Sequence, residues 1–133
     1  MKLGKIKTGL LAIVASTLLV SSLVVAERQI GYLQNFRITS SFGRTKDYLV
    51  KSSAPYYVVN LDSRGRNREI VVRHYLANSN GQRRSDIDKT WTGDRGIYTQ
   101  DTKSGYFYAL HLARENWWDG ATTISGSWSP DNW

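Results

Sequence analysis

Glu69-Ile70-Val71-Val72-Arg73-His74-Tyr75-Leu76-Ala77-Asn78 is the stretch whose reading decides the fold. In an extended chain Ile70, Val72, His74 and Leu76 share one side, and Val71, Arg73, Tyr75 and Ala77 share the other. A period of two is that of a strand with one face turned to a core. Asn78-Ser79-Asn80-Gly81 then stops it with four turn formers.

Working outward, the same period recurs. Tyr106 to Ala113 reads as a central strand, with Tyr106, Tyr108, Leu110 and Leu112 on one face and Phe107, Ala109 and Ala113 on a face only slightly less apolar. Tyr56 to Leu61 is rich in β-formers and runs into Asp62-Ser63-Arg64-Gly65, a turn. Asn35 to Thr39 puts Phe36 and Ile38 together, Asp47 to Lys51 is a weaker strand, and Ala121 to Trp128 is the last, entered through Asp119-Gly120. Arg83 to Tyr98 is too irregular to assign, and the two prolines, Pro55 and Pro130, fall outside the predicted strand interiors. Short strands with turns between them predict an all-β fold, a single antiparallel β-sandwich of about six or seven strands.

The amino end has a different character. Lys2, Lys5 and Lys7 precede an uncharged run from Gly9 to Val25, closed by the small residue Ala26. This is the layout of a cleaved secretory signal peptide over residues 1–26, expected as a helix, with a β-sandwich domain over 27–133. Ser16, Thr17, Ser21 and Ser22 interrupt the run, which is short for a permanent span. The expected location is extracellular. Removal of the three lysines lowers the formal charge from +7 to +4. That surplus suits an anionic envelope polymer or an acidic lipid surface and falls short of a nucleic-acid-binding profile. With no cysteine in the chain, disulfides, thiolate metal sites and lipid-modified cysteine are all excluded.

Residues able to carry chemistry are sparse. His74 and His111 both fall in predicted strands, where imidazoles could meet in a metal or acid–base site if the strands pair; hydrogen-bonded histidines in or beside the core are the plainer reading. Asp86, Asp88 and Asp94 offer hard oxygen ligands for calcium, but their spacing is not that of an EF-hand and Lys89 and Arg95 stand beside them. A self-neutralised, solvated loop is the plainer expectation. Glu115 and Asp119 flank Trp117-Trp118, as a glycosidase cleft would require, although acids in turns are ordinary. No serine has a nucleophile-elbow context. The expectation is a non-enzymatic protein without a cofactor or metal.

Two local features remain. Arg64, Arg66 and Arg68 alternate across a glycine-containing hairpin, with Arg83-Arg84 after the next turn. Such tips dock on phosphate-rich polymers or lipid headgroups, or simply keep a hairpin soluble. Trp117, Trp118, Trp128 and Trp133 are four of the five tryptophans. Trp128, on a strand, is expected in the core. Trp117 and Trp118 lie at a turn, where at least one ring should be exposed and available for recognition.

Asn35-Phe36-Arg37-Ile38, Tyr57-Val58-Val59-Asn60-Leu61, Leu112-Ala113-Arg114-Glu115-Asn116 and the closing Ile124-Ser125-Gly126-Ser127-Trp128-Ser129-Pro130-Asp131 follow one another in an order that resembles a family of small secreted Gram-positive bacterial proteins carrying a β-rich domain of unknown function. The resemblance covers most of residues 27–133, although the ending here is less acidic than the family's. It implies a fold and a location rather than a mechanism. In layout alone the chain is also similar to lactococcin-type β-sandwich bacteriocins. The expected function is binding of a cell-envelope component or partner protein through Trp117, Trp118, Arg64, Arg66 and Arg68, with a bacteriocin-like antimicrobial action on a competitor's membrane or wall as the alternative.

Overall fold

A computed structural model of the chain describes residues 28–63 and 69–132. The proposed signal peptide and the residues Arg64, Arg66, Arg68 and Trp133 lie outside them. The described residues form nine strands: β1 (Gly31–Ile38), β2 (Gly43–Arg44), β3 (Leu49–Val50), β4 (Tyr56–Leu61), β5 (Val71–Asn78), β6 (Asp88–Trp91), β7 (Arg95–Thr99), β8 (Phe107–Arg114) and β9 (Thr122–Asn132). One sheet has the order β1-β9-β4-β7; the other has β2-β8-β5-β6, with β3 also paired to β8. Every pairing is antiparallel. The expected all-β sandwich is the observed fold.

Inward positions meet between the sheets. Leu33, Ile38, Tyr57, Val59, Leu61, Ile124 and Trp128 face Val72, Leu76, Leu110 and Leu112, all buried. Burial of this apolar area holds the two layers together without cross-links of sulfur.

The strand count exceeds the expected six or seven because three strands went unread: β2 has two residues, and β6 and β7 occupy the segment left unassigned, while β3 is the core of the weaker strand read over Asp47 to Lys51. β1 starts four residues earlier than read. Its period is broken at Asn35, which has φ of 50°, and its register with β9 shifts between Leu33 and Phe36. That bulge turns both Leu33 and Phe36 inward although they are three residues apart.

β9 corrects the reading of Pro130, which lies inside the strand. Its register with β4 runs from Ser129 opposite Val58 to Asn132 opposite Tyr56, so an extra residue is accommodated where proline has no N–H to give. On its other side β9 runs beyond Gly31, the first residue of β1, which pairs with Trp128.

Candidate functional site

β8 and β9 are joined by a single 3-10 turn, Trp117–Asp119. Asp119 N–H donates to the Asn116 carbonyl at 3.1 Å and Gly120 N–H to the Trp117 carbonyl at 3.4 Å. Gly120 has φ of 64°, a left-handed conformation that closes the turn. No residue of this turn is buried. Trp117 is 78% and Trp118 57% exposed, and their rings meet edge to face with centroids 5.8 Å apart. Trp128 is 2% exposed, inside the core as expected.

The root of this loop is fixed on three sides. Arg114 N–H donates to the Thr39 carbonyl at 2.8 Å and Glu115 N–H to the Val71 carbonyl at 3.0 Å. Arg73 Nε donates to the Arg114 carbonyl and its second guanidinium nitrogen to the Ser40 carbonyl, each at 3.1 Å. The Glu115 carboxylate takes Arg73 at 3.4 Å and Lys89 at 2.7 Å. Glu115 therefore lies between two cations. Trp91, half-exposed, pairs with Val71 and so belongs to the same end.

From Arg73 a ribbon of rings and cations crosses the outer face of the five-stranded sheet. Arg73 lies over the Phe42 ring at 4.9 Å, Phe42 meets Tyr75 edge-on at 4.8 Å, and Tyr75 stacks on His111 at 4.8 Å with 12° between planes. Arg44, opposite His111 in register, covers the Tyr48 ring at 4.9 Å. The floor beneath consists of Ala77, Ala109 and Ala113, fully buried. Burial, and then the nearby Arg44 charge, hold the His111 imidazole below its ordinary pKa.

The histidines do not meet. β5 and β8 do pair, but His74 lies opposite Leu112 and Tyr75 opposite His111, so the two imidazoles occupy opposite faces of the sheet. His74 is buried between the layers, and burial lowers its pKa to about 3. It sits in a polar chain: His74 Nδ1 lies 2.9 Å from the Tyr57 hydroxyl, which donates to Asp88 Oδ2 at 3.2 Å. On the other side Nε2 lies 2.8 Å from the Thr90 hydroxyl, which contacts the Tyr98 hydroxyl. The Tyr98 hydroxyl in turn donates to the Lys89 carbonyl at 2.7 Å. Burial raises the pKa values of Tyr57, Tyr98 and Asp88.

Asp86, Asp88 and Asp94 do not form a metal-holding group, and no such group occurs among the described residues. The arginines 64, 66 and 68 fall outside those residues, but the flanks of their segment sit at the tryptophan end. Asp62 N–H donates to the Ser125 carbonyl, and the Ile70 carbonyl accepts from Thr92 N–H. Sequence reasoning missed Phe42, Arg73, Tyr75 and Trp91 as parts of a surface. The signal for two of them was present, since Arg73 and Tyr75 occupy the outward positions of the best alternating strand. No protein-family model, curated protein or solved structure matches this chain.

Proposed function

We propose that this protein is a secreted, non-enzymatic recognition module that binds an anionic polymer of the cell envelope at its tryptophan-bearing end. The observation that supports it is the exposure of both Trp117 and Trp118, two large apolar rings, on a turn anchored rigidly at its root. Exposed indoles stack on sugar faces, and the cost of leaving them in water is recovered on binding. Arg73, Lys89 and Arg44 lie on the adjoining outer face, and the net positive charge after residue 26 favours an anionic ligand.

The test is binding of the purified protein to purified anionic wall polymer, with the Trp117→Ala, Trp118→Ala double variant alongside. The double variant should bind at least about tenfold more weakly, as expected when two central aromatic anchors are removed. Undiminished binding would remove the tryptophan loop from the site. Retention on anionic vesicles but not on polymer would replace the ligand with a lipid surface. Growth inhibition of test strains would transfer the reading to the bacteriocin-like alternative.

A further inference from the structure

Away from the tryptophan end, a lysine and an aspartate meet deep between the layers. Lys51 directly follows β3 of one sheet, and Asp131 is the penultimate residue of β9 in the other. They are 80 positions apart in sequence, yet Lys51 Nζ lies 2.5 Å from Asp131 Oδ1. Lys51 is 3% exposed and Asp131 not at all. Both backbones are fixed: Lys51 N–H donates to the Tyr106 carbonyl and Gly105 N–H to the Lys51 carbonyl, each at 2.9 Å, while Asp131 N–H donates to Ser129 Oγ at 3.1 Å.

The surroundings also accommodate an amide. An ammonium carries three N–H donors. Among the described residues Nζ has two acceptors, Asp131 Oδ1 and the Ala54 carbonyl. On the carboxylate, Oδ2 accepts from Ser52 N–H at 2.8 Å, and Oδ1 from Ala54 N–H at a long 3.3 Å. A secondary amide in this place would keep one N–H, donated to the Ala54 carbonyl, and one carbonyl oxygen, accepting from Ser52 N–H. It would also remove two charges from a region where holding them is costly.

We propose that Lys51 and Asp131 are joined by an intramolecular isopeptide bond. One proton first passes from the Lys51 ammonium to the Asp131 carboxylate, leaving a neutral amine against a neutral carboxylic acid. The Nζ lone pair attacks Cγ, and the charge developing on Oδ2 is received by Ser52 N–H. The Nζ–Cγ bond forms and the Cγ–Oδ1 bond breaks. Oδ1 leaves as water, carrying the acid proton and one proton from nitrogen. No electron is transferred and no co-reactant is consumed. Fixing the two groups in contact supplies the high effective concentration that this condensation needs. The product ties the strand end of one sheet to that of the other in a chain without cysteine.

Intact mass spectrometry of the folded protein, purified from the secreting cell, tests this directly. The expected mass is that of the chain less one water, and proteolysis should release a branched peptide joining the Lys51 and Asp131 segments. Lys51→Arg should show the full mass. Asp131→Asn should be lighter by one ammonia instead, because the leaving group changes. An undiminished mass for the folded natural chain overturns the proposal without recourse to any variant. Loss of water that maps to a succinimide at Asp119-Gly120, with no branched peptide, overturns it equally.

Discussion

Tyr75 and His111 lie directly opposite each other on neighbouring antiparallel strands and stack nearly parallel, 4.8 Å between centroids and 12° between planes. The stack shields the imidazole from water on one side, and Arg44 opposes its protonation. Tyr75→Ala should therefore raise the His111 pKa toward the ordinary histidine value near 6.5, since burial is the larger cause of its depression. Arg44→Gln should raise it by less. An NMR titration of the His111 ring protons distinguishes the two, and an unchanged titration in Tyr75→Ala would refute the shielding argument.

His74 gives stability a defined dependence on pH. Its folded pKa is about 3 against an ordinary 6.5, so the folded state excludes a proton that the unfolded chain accepts. The contribution is fully present above pH 6.5 and is lost as pH falls from there toward 3, at up to about 1.4 kcal/mol per pH unit. Asp88, whose pKa is raised by burial, has the opposite sign: its contribution is present at low pH and fades as pH rises through its folded value. Urea unfolding across this range should show the loss on acidification, and His74→Gln should flatten the slope.

The tryptophans divide into two kinds. Trp128→Ala removes a buried ring from the centre of the core and should cost about 3–5 kcal/mol. The Trp117→Ala, Trp118→Ala pair should change the unfolding free energy by no more than about 0.5 kcal/mol, because both rings are in solvent. Denaturant titrations of the two variants measure the contrast directly.

Gly126 sits where β9 passes between β1 and β4, paired with Leu33 on one side and Leu61 on the other. A Cβ there would lie 2.0 Å from the Asn60 carbonyl oxygen, and its φ is 153°. Gly126→Ala should destabilise the fold by about 3 kcal/mol, since backbone rather than a movable side chain must yield. The check is the midpoint of thermal unfolding. A variant as stable as the natural chain would show that the strands can separate locally at no cost.

What was legible in the sequence follows from the range of the interactions involved. Tyr56–Leu61 matches its strand at both ends because Pro55 and Asp62 bound a run of β-formers, all local information. The inward set Ile70, Val72, His74 and Leu76 was equally plain, being set by a period within one strand. The Asn35 bulge and the course of β9 through Pro130 were not, because both depend on register with another strand. The same applies to the sites. Exposure of Trp117 and Trp118 follows from a turn beside Gly120, whereas Lys51 beside Asp131 arises only from the sandwich topology. His74 and His111 could be placed on strands by sequence, but one position of register decides whether they share a face.

The buried chain through Tyr57, His74 and Thr90 bears on how the sandwich holds its alignment. Hydrocarbon contact between two layers is nearly indifferent to small lateral slippage, because one methyl group substitutes for another. A hydrogen bond of 2.9 Å between Tyr57 on β4 and His74 on β5 is not indifferent, since its geometry fails within a fraction of an ångström. The chain works as a dowel through both layers. The tryptophan turn is thereby carried on a frame whose two layers are pinned against sliding.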